Sequence, residues 1–281
     1  MRITRRGFGA WAGGVSLAAI QPVTAAAGVA AIGGRREMFV DDWVVESMRG
    51  VRLQLATPVD AGPAIRFDRP WEGAFSAYTT VIKDGGMCRM YYRGAPESGQ
   101  DGNQGEVTCT AESRDGITWT RPSLDAFEVH GTKPNNVILA DSAPLSHNFS
   151  PFLDTRRGVP PSERYKALAG VHKSGLVAFV SGDGLAWRKL REEAVFPSPA
   201  GFSLDSQNTS FWSESEQRYL LYFRTWKQIG KVNYRWVSRS TSEDFIRWSA
   251  PAEMDFSGAP PEHLYTNQTS PYFRAPHIYL G

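Results

Sequence analysis

A seven-residue pattern that recurs three times constrains the fold of this chain more than any other feature of its sequence. It reads Ser-Arg-Asp-Gly-Ile-Thr-Trp at 113–119, Ser-Gly-Asp-Gly-Leu-Ala-Trp at 181–187 and Ser-Glu-Asp-Phe-Ile-Arg-Trp at 242–248. The copies are separated by about 60 to 70 residues, a period typical of repeat architectures. We expect each copy to form a hairpin turn whose tryptophan lies on the return strand and packs between adjacent sheets. Because Phe245 replaces the glycine in the third copy, we expect a different type of turn there.

Strand-like segments precede each copy at similar distances. Runs rich in aromatic and aliphatic residues lie at 88–93, 164–169 and 218–224, and shorter runs that can be aligned lie at 78–82, 148–152, 208–212 and 267–273. Four strands per repeat predict the blades of a β-propeller, with almost no helix. A β-sandwich offers as many strands but would not repeat a tryptophan turn at this period. We therefore expect an all-β fold, a five-bladed β-propeller of four-stranded blades over 28–281 that is truncated in its fourth blade.

The first 27 residues have the composition of an export signal. Arg5 and Arg6 are followed by Phe8, by an uncharged apolar stretch at 9–20 and by three alanines at 25–27, which predict a twin-arginine signal peptide with its cleavage site. An ordinary secretory signal or an uncleaved anchor is the alternative. The twin-arginine interpretation predicts a periplasmic or secreted protein that does not associate with the membrane after cleavage.

The charge balance argues against nucleic acid as a partner. Without the three arginines of the signal segment, the basic residues nearly equal the 29 acidic ones, so no electrostatic surface for nucleic acid or an anionic membrane is expected. Cys88 and Cys109 fall in neighbouring predicted strands, but their spacing does not place them opposite one another, so a disulfide is not favoured. No pattern for a cofactor or a metal is present.

The candidate functional residues follow from the propeller geometry, because the starts of the innermost strands converge on one channel. Acidic residues recur there at Glu72, Asp205 and Glu262. A carboxyl pair across a channel suits hydrolysis of a glycosidic bond, with Glu262 as the acid and Asp205 or Glu72 as the base or nucleophile. Residues beside them that would bind a polyhydroxylated ligand are Trp71, His147, Asn148, Gln207, Asn208, His263, Tyr265 and Asn267. Acidic residues before strands also cap turns, so a structural role for each carboxyl stays open.

Several motifs resemble a known group of exported bacterial proteins. The matching segments are 39–43, 66–73, 111–119, 164–168 and 261–267. The group is similar to the N-terminal domain of family 32 glycoside hydrolases, the five-bladed β-fructosidases related to invertase, levanase and the arabinanases. The resemblance implies a five-bladed propeller that acts on carbohydrate. It does not extend to the fructosidase Asp-Pro pair, because this sequence has Ser150-Pro151 and Ser270-Pro271 at the matching strand position.

Two further interpretations remain open from the sequence. The repeated turn also looks like a shortened Asp-box of the sialidases, enzymes that need three arginines around a carboxylate, and Arg93, Arg224 and Arg274 recur near strand ends. Outside the enzymes, a non-catalytic carbohydrate-binding propeller would stack sugar on Trp71 and Tyr265. A silent fragment of a longer gene is a third possibility.

Overall fold

A computed structural model of the 281-residue chain describes residues 31–40, 44–198, 202–256 and 258–281. The predicted signal peptide at 1–27 and the acidic pair Asp41 and Asp42 lie outside the described residues. The chain forms two compact units, residues 1–60 and 61–281, and every strand that the structure describes lies in the second.

Antiparallel sheets in simple chain order make up the second unit. The first sheet contains β1 (Ala77–Asp84), β2 (Met87–Gly94), β3 (Val107–Ser113) and β4 (Val137–Leu139). The second contains β5 (Ser150–Leu153), β6 (Tyr165–Ala169), β7 (Val177–Ser181) and β8 (Arg188–Lys189). The third contains β9 (Thr209–Ser213), β10 (Arg218–Ile229), β11 (Val232–Ser242) and β12 (Ala252–Glu253). A fourth, two-stranded sheet pairs β13 (Ser270–Tyr272) with β14 (Ala275–Leu280).

The all-β prediction is confirmed, as is the repeat of four antiparallel strands. Among the described residues the helical content is a single 3-10 turn, Pro161–Glu163. The first strands of successive sheets lie beside one another, β1 by β5, β5 by β9 and β9 by β13. They line a cavity of about 660 Å³. This arrangement is consistent with the blades of a propeller around a channel.

The recurring heptapeptide starts at the end of the third strand of each full sheet and begins the connection to the fourth. Its aspartate Oδ1 accepts hydrogen bonds from two backbone N–H groups, at 2.8 and 2.7 Å for Asp115, 2.8 and 2.9 Å for Asp183, and 2.9 and 2.8 Å for Asp244. Trp187 packs edge-on to Tyr91 of the first sheet and Phe149 at the start of the second, as expected for a residue between sheets. The aspartate side chain of each heptapeptide therefore stabilises the turn at the end of the third strand.

The third turn was expected to differ in type, and that expectation is wrong. Phe245 has a φ of 65°, close to the 76° of Gly116 and the 75° of Gly184 at the same place. A left-handed conformation costs a residue with a Cβ roughly 1–2 kcal/mol. The fully buried Phe245 ring offsets this cost, since it packs 5.6 Å from the ring of Phe152 and 5.1 Å from that of Tyr219.

The register of the first sheet explains why the cysteines are free. Cys88 of β2 pairs with Ser113, whereas Cys109 of β3 pairs with Tyr92, so the two thiols are not opposite one another. No helix in the described ranges is long and apolar enough to cross a membrane.

Candidate functional site

Polar side chains meet where the first strands of the sheets begin. The group, called here the strand-start cluster, comprises Tyr78, Arg93, Asp101, Glu106, His147, Asp205, Arg224, Arg235 and Tyr265. Tyr78 interacts electrostatically with Arg93, Arg224, Tyr265 and Asp101, which links the members from separate sheets. The neighbouring residues Thr79, Gln207 and Gln268 line the cavity, so the cluster borders one end of it.

Tyr78 owes its position to an irregularity in β1. The pairing with β2 shifts between Ala77 and Thr80, and Tyr78 itself has a left-handed φ of 57°. Its hydroxyl donates to the backbone oxygen of Asp205 at 3.0 Å, and the Arg93 guanidinium lies 4.8 Å from its ring centre. Burial raises the pKa of Tyr78 to about 12 even though the Arg93 charge lowers it. The phenol is thus a hydrogen-bond donor at neutral pH, held by a strained backbone of the kind found at functional sites.

His147 connects the second sheet to the β2–β3 connection. Its ring is 1% exposed, and Nδ1 lies 2.9 Å from Glu106 and 3.0 Å from Arg93. Its Nε2 lies 3.3 Å from the backbone oxygen of Asp205 and 3.8 Å from the carboxylate of Asp101, which is 55% exposed. The side chain of Asp101 is therefore open to solvent beside a buried imidazole.

Asp205 is a carboxylate of the cluster whose ionisation the structure favours. Its side chain is 35% exposed, pairs with the buried Arg224 guanidinium and accepts a hydrogen bond from Ser203. Burial by itself would raise the pKa of Asp205, but the Ser203 hydrogen bond and the Arg224 charge outweigh it and hold the pKa below its usual range. At neutral pH this group carries a negative charge that a ligand can reach.

Tyr265 supplies an exposed aromatic ring flanked by two guanidinium groups. It is 58% exposed, with Arg224 5.1 Å and Arg235 5.0 Å from its ring centre. The N–H of Arg235 donates to Nδ1 of His263 at 3.1 Å, and Glu262 and His263 are both exposed on the segment that leads to Tyr265. Three of the predicted site residues therefore share one solvent-facing segment.

Three predicted ligand-binding amides are hydrogen-bonded within the protein, and two of them are fully buried. Asn148 is fully buried and donates to the backbone oxygens of Leu204 at 2.7 Å and Ser206 at 2.9 Å. Asn208, also fully buried, donates to Leu204 at 3.0 Å. Asn267 accepts from Thr209 at 3.1 Å. The first two fix the segment that carries Asp205, so they position the site rather than present polar atoms to a ligand.

Gln207 lies where the cavity meets the cluster. Its Nε2 donates to Thr80 Oγ1 at 2.6 Å, and its Oε1 accepts from Gln268 at 2.6 Å. These hydrogen bonds join residues of the first, third and fourth sheets. Gln207 itself is 1% exposed, so it limits the depth that a ligand can reach from this end.

Glu72 and Trp71 lie in a separate, closed network. Glu72 is 0% exposed and is held by Arg121 at 2.7 and 2.8 Å and by the Tyr92 hydroxyl at 2.5 Å. Trp71 is buried and donates to Asn136 at 2.8 Å. The predicted grouping of Glu72 with Asp205 and the predicted sugar stacking on Trp71 do not fit these positions, because neither side chain has a face free for a ligand.

The sequence interpretation missed several members of the cluster. Tyr78, Asp101, Glu106 and Arg235 were not singled out, whereas Arg93 and Arg224 were noticed without a reason to converge. Each of these two arginines directly follows a pair of aromatic residues on the second strand of its sheet. The pairs are Tyr91-Tyr92 before Arg93 and Tyr222-Phe223 before Arg224. That shared placement was a usable signal. Arg274 lies apart, exposed and 5.2 Å from the ring of Phe273.

Comparison with known proteins gives only distant structural likenesses. No protein-family model and no curated protein matches the chain. A glycosyl hydrolase from Bacteroides ovatus aligns at 12% identity over 64% of this chain and 52% of its own, with a TM-score of 0.42. A fructofuranosidase from Schwanniomyces occidentalis in complex with fructosylnystose aligns at 14% identity over 72% and 39%, with a TM-score of 0.43.

An N-acetylgalactosamine deacetylase from F. plautii, in complex with blood group B trisaccharide, aligns at 14% identity over 71% of this chain and 60% of its own, with a TM-score of 0.43. The chain spans about half the length of the solved structures that it matches. The fold assignment therefore rests on the sheets and turns described above.

Proposed function

We propose that the strand-start cluster binds a poly- or oligosaccharide and hydrolyses a glycosidic bond, with Asp205 as the ionised carboxylate of the reaction. The observation that carries this proposal is the meeting of Asp205, Tyr78, His147 and Tyr265 at one end of the cavity, although they come from different sheets. Propeller geometry brings strand starts together in this way, and catalysis needs groups from separate elements at one point.

The chemistry of the cluster suits a polyhydroxylated ligand. It offers phenol and guanidinium donors, carboxylate acceptors and an exposed aromatic ring, Tyr265, on which a sugar ring can stack. A neighbouring cavity, lined by other residues, has a volume of about 660 Å³.

Glycoside hydrolysis requires two carboxyl groups in different protonation states. Asp205 is ionised, so it fits the nucleophile that attacks the anomeric carbon or the base that takes a proton from water. The acid gives its proton to the leaving oxygen as the glycosidic bond breaks, and water supplies the hydroxyl of the new reducing end. Two exposed carboxyls are candidates for the acid, Asp101 beside His147 and Glu262 on the Tyr265 segment.

A non-catalytic carbohydrate-binding site is the second candidate. The ion pair of Asp205 with the buried Arg224 is the observation that favours it, because the pair also holds the segment before β9 against β10. In that case the same cluster binds sugar without turnover.

The test is a sugar-release assay on fructans, arabinans, sulfated algal glycans and sialosides, with reducing ends and free sialic acid followed. We expect Asp205→Asn to lower the rate by about 100-fold or more, the usual effect of removing such a group. Asp101→Asn and Glu262→Gln, assayed in parallel, identify the acid. Glu193→Gln is the matched control, because the Glu193 carboxyl is 79% exposed and lies outside the cluster. This variant should retain full activity.

The outcomes separate the two candidates. Release that survives Asp205→Asn would overturn the catalytic role of this residue. Binding of a glycan without release by the wild-type protein would replace the hydrolase with the binding propeller.

We also propose that the chain is exported by the twin-arginine route and that its sheets belong to a five-bladed propeller. The adjacent Arg5 and Arg6 support export, and the succession of β1, β5, β9 and β13 around one cavity supports the propeller. Replacing both arginines by lysine should leave the protein in the cytoplasm with its leader uncut, as followed by fractionation and mass spectrometry. Export of that variant at wild-type levels would exclude this route.

A further inference from the structure

Two arginines lie beside Tyr265 in the strand-start cluster, and they differ in whether a carboxylate is in contact with the guanidinium group. Arg224 is paired with Asp205. Arg235 has no carboxylate within 4.0 Å of its guanidinium group in the part of the chain that the structure describes. The carboxyls of Asp101 and Glu106 lie on the other side, around His147. The Arg235 guanidinium therefore lies beside Tyr265 without an ion-pair partner among the described residues.

Arg235 is held in place before any ligand arrives. Its guanidinium lies 5.0 Å from the ring centre of Trp226 and 5.0 Å from that of Tyr265, and its backbone N–H is bonded to His263. Stacking on aromatic rings orders the planar guanidinium group of an arginine. It leaves the N–H donors at the edge of that group, called here the fork, free for hydrogen bonds. An oriented, unpaired fork is suited to a planar or tetrahedral oxyanion.

Several arginine N–H donors of the strand-start cluster also lack an acceptor. Five arginine Nε atoms are buried without an acceptor in the described residues, and three of them belong to Arg93, Arg224 and Arg235. Arg224 as a whole is 4% exposed, so its unpaired N–H lies in a place from which bulk water is largely excluded. Buried donors are ordinarily paired, so the arginines of this cluster carry donor capacity that the protein itself does not use.

We propose that Arg235, supported by Arg224 and Tyr265, binds an anionic group on the sugar, either the carboxylate of an acidic sugar or a sulfate ester. This inference rests on the proposed carbohydrate function and narrows its substrate class to anionic glycans. The sugar ring stacks on Tyr265 while its oxyanion accepts hydrogen bonds from the Arg235 fork. Neutral glycans leave the fork unsatisfied and bind more weakly.

Calorimetric titration of the full mature chain with matched glycan pairs tests the proposal. One pair is trigalacturonate and its carboxyl-reduced trisaccharide; the others are a sialoside with its carboxyl-reduced form and a sulfated galactan oligosaccharide with its desulfated form. We expect at least one anionic member to bind about 10-fold or more tightly than its neutral counterpart, and which pair responds tells carboxylate from sulfate.

Two arginine variants provide the internal comparison. Arg235→Gln should lower the affinity for the anionic member more than that for the neutral member, so that the preference between the two is lost. Arg274→Gln is the matched control, because Arg274 also lies beside an aromatic ring but outside the cluster, and it should keep the preference. Arg235→Lys should fall between, since it retains the charge but loses the fork. Equal thermal midpoints of the variants establish that folding is not the cause.

The failures of the two proposals look different. Equal affinity for both members of every pair, or a preference that survives Arg235→Gln, would overturn the anionic specificity while the carbohydrate site stands. Absence of binding to every glycan of either kind would refute the carbohydrate function, and this inference with it.

Discussion

Two arginine–carboxylate pairs in the second unit differ in how far the protein satisfies their hydrogen-bonding groups. Around Glu72, the carboxylate is fully enclosed and both oxygens are used, by Arg121, by the Tyr92 hydroxyl and by the Arg69 N–H at 3.1 Å. Around Asp205, the carboxylate is 35% exposed, and its partner Arg224 keeps a buried N–H without an acceptor.

The difference teaches how to tell a structural ion pair from a ligand site. A charge whose hydrogen-bonding capacity is filled by the protein contributes to rigidity, and its removal leaves its partner uncompensated. A charge with open capacity and solvent access is available to a ligand. On that basis the Glu72 network has the features of a structural ion pair, and the strand-start cluster has those of the ligand site proposed above.

The largest expected effect is a loss of stability when the Glu72 network is broken. Glu72→Gln removes the buried counter-ion of Arg121 and leaves only the exposed Asp68 carboxylate, 3.6 Å away, so we expect a loss of about 3 kcal/mol in the free energy of unfolding. Urea denaturation measures it. Glu112→Gln is the control, because Glu112 pairs with Arg89 at 2.8 Å but is 24% exposed, and its loss should be about 1 kcal/mol or less. Equal losses for the two variants would remove the basis for calling the Glu72 network structural.

A second prediction concerns the turns that lock the sheets together. A Cβ on Gly184 would lie 2.5 Å from the Tyr91 hydroxyl and 2.6 Å from Arg89, whereas one on Gly116 would meet nothing within 4 Å. Both residues have positive φ, so each alanine costs roughly 1–2 kcal/mol, and the clash at Gly184 adds roughly another 1–2 kcal/mol. Thermal and chemical unfolding should rank Gly184→Ala below Gly116→Ala, with glycan affinity unchanged in both. A matched loss would mean that the second turn does not press on the first sheet.

For Asp205, in the strand-start cluster, the expected change in stability is smaller. Asp205→Asn keeps an oxygen that can accept from Arg224 and Ser203 at a half-exposed position, so we expect a loss of about 1–2 kcal/mol together with the much larger loss of turnover. Equilibrium denaturation set beside the release assay checks both. A loss as large as that of Glu72→Gln, with turnover intact, would reverse the assignment of the two regions.

The smallest expected effect is a dependence on acid pH. Burial by itself would raise the pKa of Asp244, but hydrogen bonds from the N–H groups of Arg247 and Ile246 lower it to about 2. Because the unfolded chain binds this proton at higher pH than the folded one, the stabilisation is complete above about pH 4 and is lost as pH falls towards 2.

The side chain of Asp244 is 33% exposed, so screening limits the contribution to about 1 kcal/mol. Unfolding followed from pH 6 to pH 2 should show a shallower fall for Asp244→Asn than for the wild-type chain. Parallel curves would mean that the turn carboxylate does not contribute.

The sequence predicted the sheets well because their signals are local. The heptapeptide marks the connection between the third and fourth strands, and the runs before it became β2, β6 and β10. The cluster was harder to foresee, because whether Glu72 or Asp205 faces a ligand depends on which distant arginine reaches it. Arg121 and Arg224 do so through contacts 49 and 19 residues away in sequence. Tyr78 depends on a shift in strand pairing that no local pattern marks.

Phe245 has a consequence for anyone who would redesign this chain by averaging its repeats. Alignment of the three heptapeptides recommends glycine at this position, and by backbone preference alone the recommendation is sound. Yet the ring fills the space between Phe152, Tyr219 and Trp248, so the consensus choice would open a hole where two sheets join. In a repeat protein, the copy that breaks the pattern can be the one to leave alone.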